Sequence, residues 1–314
     1  MIGYLLRRLA QAVPVTLAVA TLVFALIHLI PGDPVEMMLG EGAQPADVEA
    51  LRAELGLDRP LLEQYAGFIA GLARGDLGTS LHFDEPVAAL IARHYPATAL
   101  LAFAALAAAL AIALPLGMLA AYFRDGWIDR LARLFSLAGV SIPNFWLGPM
   151  VMLLFSIHLD LLPVSGRSGW RSLILPAATL GLALSALLTR MVRSAVGGEL
   201  GRPYLVTARA KGISRTRVAL LHALKNALIP VVTVVGLQFG ALLTGAILTE
   251  TIFSWPGLGR LLIQAIRLRD YPLVQGCVLL ISVTYVLVNL ATDLLYAWLD
   301  PRIRLQEAKA EAGR

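Results

Sequence analysis

Residues 97–123 read ATALLAFAALAAALAIALPLGMLAAYF and contain no charged side chain. A helix needs about 20 apolar residues to cross a bilayer core of roughly 30 Å, because every backbone N–H and C=O must be bonded within the segment. This stretch therefore predicts a membrane-spanning helix. Five other apolar runs predict further spans, and they cover residues 9–30, 134–159, 173–188, 228–248 and 273–299. The expected fold is an all-α polytopic membrane protein with six transmembrane helices.

The composition of the whole chain agrees with this fold class. Hydrophobic residues make up 58% of the 314 positions and charged residues 15%, whereas a soluble domain carries about 25% charge. The mean hydropathy is +0.74. The net charge of +5 does not indicate nucleic-acid binding, because the basic residues lie between apolar runs instead of forming one soluble patch. The single cysteine, Cys277, excludes disulfides within the chain and cysteine-clustered metal sites.

The distribution of charge predicts the orientation in the membrane. With six spans and a cytoplasmic N-terminus, 17 of the 26 basic residues fall inside and 14 of the 21 acidic residues fall outside. This bias follows the positive-inside rule. A secretory signal is the alternative for residues 9–30, but a signal core is only about 7–15 residues long. Both termini are therefore expected to be cytoplasmic.

The polar segments between the spans divide the chain into three parts. Residues 1–30 form the N-terminal end and first helix, residues 31–95 an extracytoplasmic insertion, and residues 96–314 a transmembrane core. The insertion carries eleven acidic side chains and is too polar to cross a membrane. Its pattern predicts one short helix over residues 47–55, stopped at Gly56, and another that begins near Pro60.

Known catalytic and metal-binding patterns are missing from the sequence. It contains no His-Glu-x-x-His, no Gly-x-Ser-x-Gly, no phosphate-binding loop and no dinucleotide fingerprint. The five histidines have no metal-ligand spacing. We therefore expect no catalytic residue, no metal site and no cofactor bound by this chain. Ionisable residues are also nearly missing from the middle of the spans, which argues against a proton-coupled carrier.

One cytoplasmic segment, residues 197–227, has a more specific pattern. From residue 201 it reads GRPYLVTARAKGISRTRVALLHALKNA. Good helix formers run from Tyr204 to Lys211, Gly212 is placed as a helix stop, and Ser214 is placed to cap a second helix that starts at Arg215. A basic loop that serves only the positive-inside rule is the alternative interpretation.

This segment resembles the EAA loop of ABC importer permeases, in their dipeptide, oligopeptide and nickel branch. The likeness rests on TARAKG at residues 207–212 and HALKNALIP at residues 222–230. Position by position, Val206, Thr207 and Ala208 take the places of Glu-Ala-Ala, and Gly212 that of the motif glycine. Two departures from the general pattern, Val206 for glutamate and Lys225 for proline, look like the peptide-branch version.

The resemblance extends over nearly the whole chain. Further segments that match in order are residues 4–9, 31–34, 141–148, 252–260, 269–276 and the stretch 300–304 at the start of a cytoplasmic tail, residues 300–314. In the family, the loop forms coupling helices that dock in a cleft of the ATP-binding subunit. The positions that the resemblance assigns to coupling are Tyr204, Thr207, Ala208, Arg209, Ala210, Lys211, Gly212, Ser214 and Arg215.

Other positions are candidates for the translocation path or for helix packing. Pro143 and Pro149 are expected to kink the third span, and bent helices can line a passage. A Gly-x-x-x-Gly on the fifth span permits close helix approach, and packing within the subunit is an equally good account of these glycines. The candidates are Ser141, Asn144, Gly236, Gln238, Gly240 and Thr244.

The resemblance implies the type I ABC importer permease fold and a function. The chain is expected to form half of a path for short peptides in a bacterial inner membrane, with glutathione or chelated nickel as alternative substrates. Implied partners are a second homologous permease, two ATPase subunits that hold ATP and Mg, and an extracytoplasmic substrate-binding protein. An ATPase-independent channel or carrier and a receptor-like membrane protein are the rivals from other classes.

Overall fold

The computed structural model describes residues 2–29, 35, 44–54, 56–214, 217–218 and 223–299. Their secondary structure is helical, apart from an isolated bridge between Thr79 and Pro86. The helices are α1 (Ile2–Leu29), α2 (Pro45–Glu54), α3 (Leu61–Ala73), α4 (Val87–Tyr122), α5 (Trp127–Ser141), α6 (Asn144–Met152), α7 (Arg171–Leu200), α8 (Pro203–Ala210), α9 (Leu224–Gly245), α10 (Ile247–Ile252), α11 (Leu258–Arg267) and α12 (Tyr271–Leu299).

Four of the six predicted spans correspond to helices that are long and apolar enough to cross a membrane, namely α4, α7, α9 and α12. A fifth is obtained if α5 and α6, which are bent by 101° at their junction, count as one span. The first predicted span lies in α1, where the apolar stretch among the described side chains is Val13–Ala25, shorter than a bilayer core requires. The sixth span therefore stays a prediction.

The third predicted span differs from a simple kinked helix. The helix ends at Ser141 and a new one starts at Asn144, so the chain breaks at Ile142 and Pro143. A proline disfavours helical backbone in the residue before it, and Ile142 is extended, with ψ near 119°. Pro149, in contrast, lies inside α6 without a break. The chain then continues from α6 as a π-helix over Leu153–His158.

The polar segment after α1 contains the two predicted short helices, α2 and α3. Gly56 has a left-handed backbone, with φ of +65°, just after α2, as expected for a helix stop. The next helix, α4, begins ten residues before the predicted span because Val87, Leu90 and Ile91 are buried. A hydropathy criterion does not include this extension in the span, because Arg93 and His94 are polar. The limits 31–95 of the insertion stay a prediction.

The chain divides into two compact units, and α4 and α12 each contribute residues to both. The first contains residues 1–98 and 256–286, and the second contains residues 99–255 with the described residues from 287 onward.

In the first unit, α1 contacts α3 and α4 contacts α12. Thr21 and Tyr65 share a hydrogen bond of 2.7 Å. Gly276 of α12 lies so close to the Val87 side chain that an added Cβ would overlap it. Its neighbour Cys277 is fully buried. Small residues thus allow α12 to approach α4 closely.

A buried carboxylate, Asp270, fixes the start of α12 in the same unit. It is the residue before the helix, and its Oδ1 accepts the Leu273 backbone N–H at 3.2 Å, as an N-cap does. Its Oδ2 accepts the Ser80 hydroxyl and the His82 backbone N–H, the latter at 3.2 Å. One side chain therefore joins the helix to the turn that precedes α4.

In the second unit, α7 is the central helix, and two-thirds of its apolar stretch is buried. Glycines mark its closest neighbours. A Cβ at Gly181 would lie 2.9 Å from the Ala105 carbonyl oxygen, and one at Gly117 would lie 2.8 Å from the Thr189 carbonyl oxygen. Gly139 of α5 lies directly against Ala186. Helices α4 and α5 therefore pack on α7 through positions that only glycine fits.

Candidate functional site

The short helix α8 occupies the segment that resembles a coupling loop. It begins at Pro203, a residue suited to the first helical position because its missing N–H would have no partner there. It ends in a turn at Gly212, whose φ is +83°. The Ile213 N–H donates to the Ala208 carbonyl at 3.4 Å, the bond that closes a Schellman cap. The predicted stop at Gly212 is confirmed.

Only the backbone conformation requires glycine at this position. In the described part of the chain, nothing lies within 4 Å of a Cβ added at Gly212. A side chain would therefore meet none of the described neighbours, but a left-handed residue with a Cβ costs roughly 1–2 kcal/mol. A β-branched residue is the least suited to this conformation.

One face of α8 is anchored and the other is open. Leu205 is fully buried in a small cluster with Val218 and Ala223. On the opposite side, Val206 is 60% exposed, and Thr207, Ala210 and Lys211 are exposed as well. A single exposed apolar side chain is ordinary on a protein surface, so this open face permits contact with a partner without requiring it.

A hydrogen-bonded network at Tyr204 ties α8 to two long helices. The Tyr204 hydroxyl donates to Glu199 Oε2 at 2.8 Å and accepts from Asn226 Nδ2 at 2.9 Å. Glu199 lies in the last turn of α7 and Asn226 in the first turn of α9. Partial desolvation, together with the bond to Glu199, raises the pKa of the Tyr204 phenol above its ordinary value. Displacement of α8 would therefore pull on both helices.

The structure brings most of the predicted coupling residues together in residues 203–214. Tyr204, Thr207, Ala208, Ala210, Lys211, Gly212 and Ser214 all lie there. The side chain of Arg209 and the whole of Arg215 lie outside the described residues, as do residues 219–222, 31–34 and the tail 300–314.

Sequence reasoning missed a buried ion pair between α5 and α7. Asp129, in the first turn of α5, is fully buried. The Arg193 guanidinium donates to it through Nε and Nη2, the latter at 2.9 Å from Oδ2. Arg133 lies 3.2 Å from the same carboxylate, and the Asp125 backbone N–H donates to it at 3.0 Å. Charge counting along the sequence treats both residues as loop charges, because it does not reveal a contact between positions 64 residues apart.

The candidate path residues separate into two groups. Asn144 and Gln238 line a cavity of about 450 Å³ at the break between α5 and α6. Ser141 is not among the residues that line it, and its exposed hydroxyl donates to the Leu137 carbonyl of its own helix at 2.8 Å. Gly236 lies directly against Thr292 of α12 and so has a packing contact.

Two other candidates give less information about the path. Gly240, on the same helix as Gly236, is buried. The Thr244 side chain lies outside the described residues.

Comparison with known proteins gives matches over nearly the whole chain. A profile of the family described as "Binding-protein-dependent transport system inner membrane component" matches residues 113–305, and one of its N-terminal part matches residues 1–102. The dipeptide transport system permease protein of Escherichia coli K12 is 45% identical over 336 residues, covering 97% of this chain and 99% of that protein. The glutathione transport system permease protein of Pectobacterium atrosepticum is 43% identical over 304 residues, with the same coverage.

Among solved structures, an inward-facing MetNI methionine ABC transporter has a similar fold. The TM-score is 0.56 at 19% identity, and the match covers 67% of this chain and 96% of that one. At this identity the likeness concerns the fold alone. It agrees with the type I permease architecture that the sequence resemblance implied.

Proposed function

This chain belongs to the family of binding-protein-dependent transport system inner membrane components, and we propose that it forms half of the path through which an ABC importer moves short peptides. It is a transport subunit and not an enzyme. The identity of 45% to a dipeptide permease, over almost the full length of both chains, is the observation that carries the choice of substrate.

The geometry of α8 supports a role in energy coupling. The helix is anchored through Leu205 and presents Val206 and Thr207 outwards, where the cleft of an ATPase subunit can receive them. The Tyr204 network links it to α7 and α9. Both of these helices line the cavity at the broken span. A movement imposed on α8 by the ATPase would therefore reach the walls of the cavity.

ATP and Mg belong to the partner subunits in this proposal. Nucleotide would favour one arrangement of the paired ATPases, and a ligand changes a conformational equilibrium only through different affinities for the two states. The docked α8 would transmit this preference to the permease. The complete importer would contain a second homologous permease, two ATPase subunits and an extracytoplasmic binding protein.

The charge distribution supports an orientation for this inner membrane component. The segment with α8 carries eight of the 17 basic residues assigned to the inside. Both termini and α8 would then face the cytoplasm, and α2 and α3 the opposite side. The proposed binding protein would meet the permease on the side of α2 and α3.

Glutathione is a second candidate substrate because a glutathione permease is 43% identical. Glutathione is itself a short peptide, so the two candidates share amide and carboxylate groups. Uptake of labelled dialanine and labelled glutathione by the same cells separates them. Chelated nickel would be tested with the same cells and a nickel isotope.

Co-purification tests the assembly. The tagged chain would be extracted from its native membrane in mild detergent, and its stoichiometric partners identified by mass spectrometry. We expect a second permease and one or two ATPases. Reproducible recovery of the chain alone would contradict the proposal and favour a carrier or receptor.

Substitution at Gly212 tests the coupling role. Gly212→Val strains the turn after α8, so we expect the loaded binding protein to stimulate ATP hydrolysis several-fold less, with the subunit still inserted. Gly166→Val is the matched control, because Gly166 also has φ near +81° and open space around its Cβ. Normal stimulation in Gly212→Val, or equal loss in both variants, would count against coupling through this turn.

A further inference from the structure

The cavity at the broken span has the size and the lining of a small-molecule site. Its volume of about 450 Å³ lies within the range of roughly 300–1,000 Å³ that is usual for ligand pockets. Residues of α5, α7 and α9 and of the break itself surround it. They are Gly139, Val140, Ile142, Pro143, Asn144, Leu180, Ala183, Leu184, Leu187, Gln238, Ala241 and Leu242.

Two side-chain amides are the polar groups of this lining. Among the described residues that line the cavity, Asn144 and Gln238 alone have polar side chains, and none is charged. Apolar walls with a few convergent polar groups are typical of sites that orient a ligand. Neutral amides provide both donors and acceptors, so they complement another amide without requiring a charge.

The Asn144 side chain has an unmet acceptor. Its Oδ1 is buried and has no hydrogen-bond partner in the described part of the chain. An orphaned buried polar atom costs about 1–3 kcal/mol and calls for an explanation. A rotation of the Asn144 side chain towards the cavity would expose this oxygen to a donor that enters during transport.

The break in the helix places Asn144 in the lining of the cavity. Asn144 is the first residue of α6, directly after Pro143, and no side chain caps this helix start. Irregular backbone within a membrane is tolerated where it lines a cavity, and interrupted helices form substrate sites in other transporters. The 101° bend and the unmet oxygen therefore belong to the same place in the fold.

We propose that this cavity is a transit site for the main chain of a short peptide, in which the Asn144 side chain turns its Oδ1 towards the cavity and accepts a peptide N–H, and the Gln238 amide pairs with a peptide C=O. The inference rests on the proposed function and adds a site to it. Because the lining carries no charge, the site recognises the main chain and discriminates little among peptide side chains. A transit site of this kind suits a permease that receives its substrates from a binding protein.

The test compares two dipeptides in cells that contain the complete importer. Dialanine has a peptide N–H, whereas alanyl-sarcosine carries a methyl group on that nitrogen and lacks the donor. The initial uptake rate of each labelled peptide would be measured for the wild type and for Asn144→Ala, Gln238→Ala and Ser141→Ala. Ser141→Ala is the matched control, since Ser141 is not among the residues that line the cavity and its hydroxyl donates to its own helix.

We expect Asn144→Ala and Gln238→Ala each to lower dialanine uptake roughly tenfold, the equivalent of one lost hydrogen bond. Asn144→Ala should also reduce the preference for dialanine over alanyl-sarcosine, while Gln238→Ala and Ser141→Ala retain it. The binding protein is the same in every strain, so its own discrimination cancels in this comparison. Membrane levels of each variant would be measured by immunoblot.

Three results would overturn the inference, and they differ in what they leave standing. Wild-type uptake of dialanine with unchanged rates and ratios in both cavity variants would remove the transit site and leave the proposed function intact. No uptake of dialanine or glutathione by the wild type would remove the proposed function, and the transit site with it. If Asn144→Ala fails to insert, unchanged uptake by Gln238→Ala alone contradicts the site.

Discussion

Two fully buried aspartates, one in each unit, are stabilised in opposite ways. Asp129 in the second unit faces the guanidinium groups of Arg193 and Arg133. Asp270 in the first unit accepts three neutral donors, which are the Ser80 hydroxyl and the backbone N–H groups of His82 and Leu273. Among the described residues, arginines compensate the charge of Asp129, whereas the partners of Asp270 are neutral donors that satisfy its lone pairs.

The difference teaches what each aspartate contributes. A bidentate pair with arginine fixes direction and distance between two helices, so Asp129 links the first turn of α5 to α7, two turns before α7 meets the Tyr204 network. Neutral donors hold a carboxylate in place through backbone geometry, so Asp270 orders a local turn and caps α12. The contact of Asp129 therefore depends on charge, whereas the contacts of Asp270 depend on the geometry of the local backbone.

Neutralising Asp129 should have the largest effect. Asp129→Asn keeps the shape but leaves Arg193 without its counter-charge, and breaking a buried pair costs about 3–5 kcal/mol. We expect the free energy of unfolding to fall by about 3 kcal/mol, at the lower end of this range, because the Arg193 side chain retains 26% exposure and is partly solvated. Thermal unfolding in detergent measures it, with exposed Asp125→Asn as the control. A loss no greater than that of the control would mean that the pair carries no net stability.

The same substitution at Asp270 should cost less. Asp270→Asn retains one acceptor oxygen but turns an amide N–H₂ towards a backbone or hydroxyl donor. One buried polar group is then left without a hydrogen bond, which costs about 1–3 kcal/mol of stability. The free energy of unfolding, measured in the same detergent, should fall by about 2 kcal/mol. A loss larger than that of Asp129→Asn would reverse the comparison and show that local capping outweighs the interhelical pair.

The smallest effect is expected at Arg133. Its side chain is 52% exposed and pairs with Asp129 at helical i, i+4 spacing, a geometry worth about 0.3–0.5 kcal/mol. Arg133→Gln should therefore lower stability by about 0.5 kcal/mol, and the loss should shrink at high salt. A loss comparable with that of Asp129→Asn would show that the surface arginine, and not Arg193, compensates the buried charge.

Local features of the fold and the site were predictable from the sequence. The end of α8 at Gly212 follows from backbone sterics within a few residues, and α2 and α3 follow from helical periodicity. Pro143 predicted an interruption because its effect on the preceding residue is local. Four of the spans follow from hydropathy alone.

Features that depend on distant partners were not predictable. The ion pair joins Asp129 to Arg193 across 64 residues, and the Tyr204 hydroxyl accepts from Asn226, 22 residues away. The 101° bend also exceeds what a proline dictates, and both segments pack on α7, which lies far from them in the sequence. The early start of α4 depends on burial of Val87 against Gly276, far along the chain.

The burial of Cys277 has a practical consequence for following this protein in motion. A thiol enclosed in an apolar interior reacts slowly with maleimides and other thiol reagents. The natural chain is therefore close to a cysteine-free background without any substitution. A single cysteine introduced at an exposed position outside α8, such as Lys225 in the first turn of α9, would accept a spin label or crosslinker selectively, so distances from this region to an ATPase partner can be recorded through the transport cycle.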